Sequence, residues 1–305
     1  MKRQLGEYMH SFLKAIGFSK INNRLEVEQL IHNVISEASE KHLLSLENHS
    51  TLAELSLEFA PEVGITVRGE YDENMVFHLE HYFPYYKGQN ISAKEQIFIS
   101  KRVDTDAYTG MCDDYRLGVS LIFYLQNTID YLHLHHDLKE PMVYAVTLVG
   151  LACEGKILLP VEKSIKSEKS GKTDLRQRNQ LIAEAKKGNQ EAIDSLTIDD
   201  IDLYAMVSKR LKKEDVYSIV DTSFVPYGTE SDNYTVLGTI IDVREVTNQR
   251  SKEELYILTL ECNELCFEVC INKENLFGEP SVGRRFRGTI WMQGNVDFNN
   301  GLTSM

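Results

Sequence analysis

An α+β fold is predicted: an antiparallel meander with packed helices, a helical hub, and a small C-terminal β-barrel resembling the oligonucleotide/oligosaccharide-binding (OB) type. Three observations lead there. The apolar period is helical between Leu25 and Ala38 and drops to two between Glu54 and His81. A second helical period occupies the stretch from Asp174 to Gly228. Beyond it, β-branched and alternating runs surround Asn263-Glu264, a pair suited to a tight hairpin.

Taken in order, Leu25, Val27, Leu30, Ile31, Val34, Ile35 and Ala38 mark one face of the first helix, opposite Glu26, Glu28, His32 and Glu37. Strand alternation follows in Leu55, Leu57 and Phe59, in Ile65 and Val67, and, after a turn at Tyr71-Asp72-Glu73-Asn74, in Phe77, Leu79 and His81. Ile97 to Val103 reads as one more strand of this meander. Asp113 or Asp114 then caps an expected helix with the stripe Leu121, Ile122, Leu125, Ile129 and Leu132. Val143 to Leu151 is too short and too β-branched for a typical helix and reads as a buried strand, turned at Glu154-Gly155 into Lys156 to Val161.

Glu162 to Thr173 is rich in Lys, Ser and Gly and reads as a linker or an exposed loop. In the helical array, Leu181, Ile182 and Ala185 form one apolar stripe, Gly188-Asn189 breaks it, and Leu203, Met206, Val207 and Leu211 form another; Pro226-Tyr227-Gly228 ends the array. Thr235 to Val246 carries Gly238 where a bulge or bend fits, Leu255 to Glu261 and Leu265 to Ile271 alternate, and Phe286 to Met292 supplies a fourth strand. The resulting division is 1–161, an α+β domain; 162–173, a basic linker; 174–228, the hub; and 229–305, the barrel.

The chain has 305 residues and a formal net charge of -13, which opposes non-specific attraction to nucleic acid or anionic lipid. Neither a signal peptide nor an apolar run of the roughly 18 residues needed to span a bilayer is present, so a cytoplasmic setting without membrane contact is expected. Five cysteines, an odd and sparse set, fit a reducing compartment.

Several clusters suggest chemistry. Asp104, Asp106, Asp113 and Asp114 surround Gly110; together with His78, the residues Asp104, Asp106 and Asp113 form a candidate metal set, although Thr109 and Tyr115 break the calcium-loop pattern. The turn and capping preferences of Asp explain the same residues as a solvated turn. His133-Leu134-His135-His136-Asp137 reads as a solvated helix end, since tetrahedral zinc needs three or four convergent ligands. Cys262, Cys266 and Cys270 repeat at four residues, a spacing that matches neither zinc ribbons nor iron–sulfur runs and suits core packing. Tyr256, Phe267, Phe286 and Trp291 offer rings to a nucleic acid, yet from Glu230 onward seven cations face twelve anions. Gly-rich phosphate loops, nucleophile elbows and His-Glu-x-x-His helices are absent from the sequence, and no cofactor is expected.

The wording Ser195-Leu196-Thr197-Ile198-Asp199-Asp200-Ile201-Asp202, Glu214-Asp215-Val216-Tyr217-Ser218-Ile219-Val220-Asp221-Thr222, Val225-Pro226-Tyr227-Gly228 and His10-Ser11-Phe12-Leu13-Lys14-Ala15-Ile16-Gly17-Phe18 resembles a family of uncharacterised proteins of this length from anaerobic Gram-positive bacteria. The resemblance covers most of the chain and carries no activity or site residues. Leu181 to Ala192 is also similar to the opening helix of extracytoplasmic-function sigma factors, but the aromatic, basic promoter-melting region expected downstream is missing.

The expectation is a non-catalytic cytoplasmic binding or interaction module for a protein partner or small ligand, with oligomeric state open. One alternative is a metal-dependent hydrolase or phosphotransfer-type enzyme using the Asp/His cluster. Another, less favoured on charge, is a nucleic-acid-associated regulator using the barrel and the basic linker.

Overall fold

The computed structural model describes residues 11–46, 50–103, 105, 107–114, 116–117, 119–134, 142–161, 181, 184, 188–195, 220–228 and 232–303. A short 3-10 helix, Phe12–Ile16, leads into helix α1 (Arg24–Glu37). The Asn23 side chain caps α1 by accepting from Glu26 N–H at 2.9 Å, while the Glu26 carboxylate accepts from Asn22 N–H, so one free donor of the first turn and the N–H before the cap find partners. Val27, Leu30, Ile31 and Val34 are buried, and Leu25, expected on the same stripe, is exposed.

Strands β1 (Glu40–Ser45), β2 (Thr51–Ala60), β3 (Val63–Tyr71) and β4 (Phe77–Tyr86) form an antiparallel sheet in chain order, with α1 against β2 and β3. The expected turn at Asp72 is present: its carboxylate accepts from the N–H groups of Asn74 and Val76, both at 2.9 Å.

The second sheet has eleven strands: β5 (Ala93–Gln96), β6 (Phe98–Lys101), β7 (Tyr108–Asp114), β8 (Val119–Leu125), β9 (Met142–Leu158), β10 (Ser223–Pro226), β11 (Asn233–Thr247), β12 (Glu254–Cys262), β13 (Leu265–Asn272), β14 (Leu276–Phe277) and β15 (Arg285–Thr303). Helix α2 (Thr128–Leu134) follows β8. Strand β9 lies between β13, which it meets in parallel, and β15, which it meets antiparallel. Since β11 pairs with both β12 and β15, the strands β11, β12, β13, β9 and β15 form a closed circuit of pairings.

This corrects the α+β expectation, with its packed helices, helical hub and self-contained OB-like C-terminal barrel. The described chain is predominantly β, and the C-terminal strands belong to the large mixed sheet. Strand β9 drives the difference. Its residues Val146, Leu148 and Ala152 enter one core while Val149 and Leu151 enter the other, so both faces are apolar and it seats as a central strand. Gly155 does not turn the chain: a Cβ there would lie 2.3 Å from the Phe286 ring, so the glycine makes room for that ring and the strand runs on to Leu158.

The helix expected after Asp113 and Asp114 is also corrected. Leu121, Phe123 and Leu125 face one core and Tyr124 the other, so β8 is apolar on both faces, a pattern that periodicity confuses with a buried helix. Asp114 is engaged instead by Arg116, with Nη2 to Oδ2 at 2.5 Å. Within the expected hub, residues 190–195 are helical, while 223–226, expected to close a helical array, form strand β10 on β11. Most of the remainder of the hub, and the linker 162–173, lie outside the described residues. At Asn263-Glu264 the hairpin is as expected, both residues having positive φ (51° and 67°).

An aromatic chain couples the sheets. Trp291 packs on Phe12 and on Tyr124, and Tyr124 on Phe83 of β4, with ring centroids 5.2, 5.1 and 4.8 Å apart. Gln293 reaches across, its Nε2 donating to Pro84 O at 2.9 Å.

A polar cleft between the two sheets

Residues that alternate along a strand share a face. The register sets Glu40 beside Ser56, His42 beside Glu54, Glu54 beside Arg68, Ser56 beside Thr66, Thr66 beside Phe83 and Gly64 beside Tyr85. One face of the four-stranded sheet is therefore polar, while Leu55, Ile65 and Val67 go to the other. Facing the polar side are Gln126 and Asn127, Asp130 of α2, and Asn295 of β15. Together these groups enclose a cleft of about 260 Å³, also lined by Lys87.

Its cations are paired. Arg68 donates through Nε and Nη2 to Glu54 Oε1, the first at 2.8 Å, and both side chains are buried. Burial opposes the Arg68 charge, but attraction to Glu54, aided by Tyr124 and Glu80, outweighs it and raises the guanidinium pKa. Lys87 Nζ donates to both oxygens of Glu40 at 2.7 Å and sits 3.6 Å from Glu58. Ser56 and Thr66 hydroxyls bond each other at 2.8 Å. On the opposite wall, Gln126 Nε2 donates to Tyr86 O at 2.9 Å and to Gln293 Oε1 at 2.8 Å, and Asn127 Nδ2 donates to Asp130 Oδ2 at 3.0 Å.

Tyr85 is the exception. It lines the cleft and is 2 % exposed, and its hydroxyl has no hydrogen-bond partner among the described residues. Burial, with Glu58 and Glu40 nearby, pushes its pKa well above the usual phenol range. The ring lies over Gly64, where a Cβ would come within 2.6 Å of the Tyr85 hydroxyl.

None of these residues stood out in the sequence as functional, because Glu54, Ser56, Thr66 and Arg68 occupy the positions of a solvated strand face. One signal was there: opposite charges and paired hydroxyls are placed symmetrically about Pro61.

The sequence candidates take other places. His78, on the exposed first half of β4, pairs with Asp72 at 3.0 Å. Asp113, on β7 of the large sheet, accepts from Ser120 Oγ at 2.5 Å. Asp104, Asp106, His135, His136 and Asp137 lie outside the described residues. Among the described residues no group of three or more His, Cys, Asp or Glu is placed to hold a metal ion. Cys262 and Cys270 are buried in different cores, each Sγ donating to a backbone carbonyl (Leu237 and Ala15). Tyr256, Phe267, Phe286 and Trp291 are buried. No described helix is long and apolar enough to cross a membrane.

Comparison with curated proteins and with solved structures yields no match. A family model described as a domain of unknown function from an E. rectale gene matches residues 13–294, most of the chain. The chain thus belongs to the DUF3881 family of domains of unknown function.

Proposed function

We propose that this protein is a non-catalytic cytoplasmic binding module that takes a small ligand in the cleft between the four-stranded sheet and α2. The observation that carries the reading is the polar cleft of about 260 Å³, lined by groups from the four-stranded sheet, from α2 and from β15. Lining groups come from both sheets, so a ligand would touch each. The pairing of Lys87 and Arg68 with carboxylates favours binding over catalysis. Five unpaired thiols fit the cytoplasmic setting.

A ligand-observed NMR fragment screen on the full chain tests this, with His42→Trp as the control. His42 is an exposed lining residue on β1, so an indole there narrows the mouth without entering a core. Fragments that bind the parent and lose binding in His42→Trp support the cleft. If every hit binds both proteins equally, the ligand site is elsewhere.

A further inference from the structure

The strands that end the two sheet orders are β1 and β4 in the smaller sheet and β6 and β10 in the larger. Such edges offer unpaired N–H and C=O groups to another strand and are commonly guarded by Lys or Pro. β1 carries Lys41, β6 carries Lys101 and β10 carries Pro226, all exposed. β4 differs. Its proline, Pro84, lies in the buried second half, and the more open half from Phe77 to Tyr82 contains neither residue type.

This half is apolar where it is most open. Met75 and Val76 at the hairpin tip are 74 % and 52 % exposed, and Leu79 is 48 % exposed. Phe77 stands opposite Tyr71 and Leu79 opposite Gly69, which puts both on the face away from the cleft, where the Tyr71 and Phe77 rings pack with centroids 5.1 Å apart. His78, opposite Glu70, and Glu80, whose charge acts on Arg68, lie on the other face. Past Leu79 a bulge shifts the register, since Arg68 faces His81, so the straight part of the edge is Phe77 to Glu80.

Turned about a two-fold axis at Leu79, that part complements itself. Leu79 meets the partner's Leu79, while His78 meets the partner's Glu80 and Glu80 meets the partner's His78. His78 holds Asp72 through Nε2, which leaves Nδ1 to face the second carboxylate. A single stretch thus supplies both halves of each contact, which points to a second copy of this chain rather than an unlike strand. β1 lacks this symmetry. Pairing its Glu40 with a second His42 would set two Lys41 ammonium groups against each other, and Glu40 is already held by Lys87.

We propose that two copies of this chain associate antiparallel through their β4 edges, about a two-fold axis at Leu79. Sedimentation equilibrium of the full chain tests this. The parent is expected to dimerise, and Leu79→Lys, which sets two ammonium groups at the axis, is expected to weaken self-association at least tenfold with circular dichroism unchanged, as suits a half-exposed side chain. Leu79→Cys gives a second reading: mild oxidation should link most of it into a covalent dimer and should leave Leu25→Cys, at a position on α1 that is 76 % exposed, unlinked. A parent that stays monomeric up to millimolar concentration overturns the proposal. So does a Leu79→Lys protein that dimerises as tightly as the parent, or equal cross-linking at positions 79 and 25.

Discussion

Glu54 and Arg68 stand opposite each other in the register of β2 and β3 and form a buried ion pair beneath the cleft. Neither charge is exposed enough to be hydrated in place, so each depends on the other.

Removing one partner should therefore cost far more than removing both. Arg68→Met is expected to lower unfolding free energy by about 3–5 kcal/mol, while Glu54→Leu with Arg68→Met loses much less. Urea denaturation of the two variants measures the difference, and equal losses would show that packing, not charge, dominates the site.

Glu268 accepts from Tyr86 Oη at 3.1 Å, Gln89 N–H at 2.8 Å and Arg244 Nη2 at 2.9 Å, fastening the end of β4 to the large sheet. Arg244 also donates to Tyr86 Oη at 2.7 Å. Tyr86→Phe deletes two of these bonds and should destabilise by about 1–3 kcal/mol. Because the chain has a single tryptophan, Trp291, its fluorescence follows unfolding from between the two sheets, with a midpoint at lower denaturant in the variant.

Burial pushes the thiols of Cys112 and Cys262 up to about 12 from the ordinary 9.0. The folded state then keeps these protons where the unfolded state has released them. Their contribution is complete below pH about 9 and is lost as pH rises toward 12. Thermal melts should fall across that window, and the Cys112→Ala, Cys262→Ala pair should fall less steeply. Native thiol titration at pH 8 should label half-buried Cys266 before Cys112, Cys262 or Cys270.

Gly155→Ala places a methyl 2.3 Å from the Phe286 ring in a closed part of the sheet. The expected loss is about 1–3 kcal/mol, read as a lowered denaturation midpoint. Gly283→Ala, where nothing lies within 4 Å but φ is +86°, separates backbone strain from packing.

Much of the local structure was legible. Helix α1, the turn at Asp72 and the Asn263-Glu264 hairpin follow from cap, turn and alternation rules that act within a dozen residues. The β8 segment was misread because an apolar run buried on two faces has no period to distinguish strand from helix. The cleft was hidden for the opposite reason: Ser56 and Arg68 alternate like solvent-facing residues, and only the second sheet's arrival over them turns that face inward.

The sequence by itself determined family membership, most of the buried face of α1, the turn at Asp72 and the Asn263-Glu264 hairpin, since each depends on neighbouring residues. Tertiary structure alone decided that β9 sits between β13 and β15, that Tyr86 meets Glu268 across 182 residues, and that the polar face of the four-stranded sheet is closed by α2. Such meetings depend on how two finished surfaces fit, and no local spacing encodes the fit.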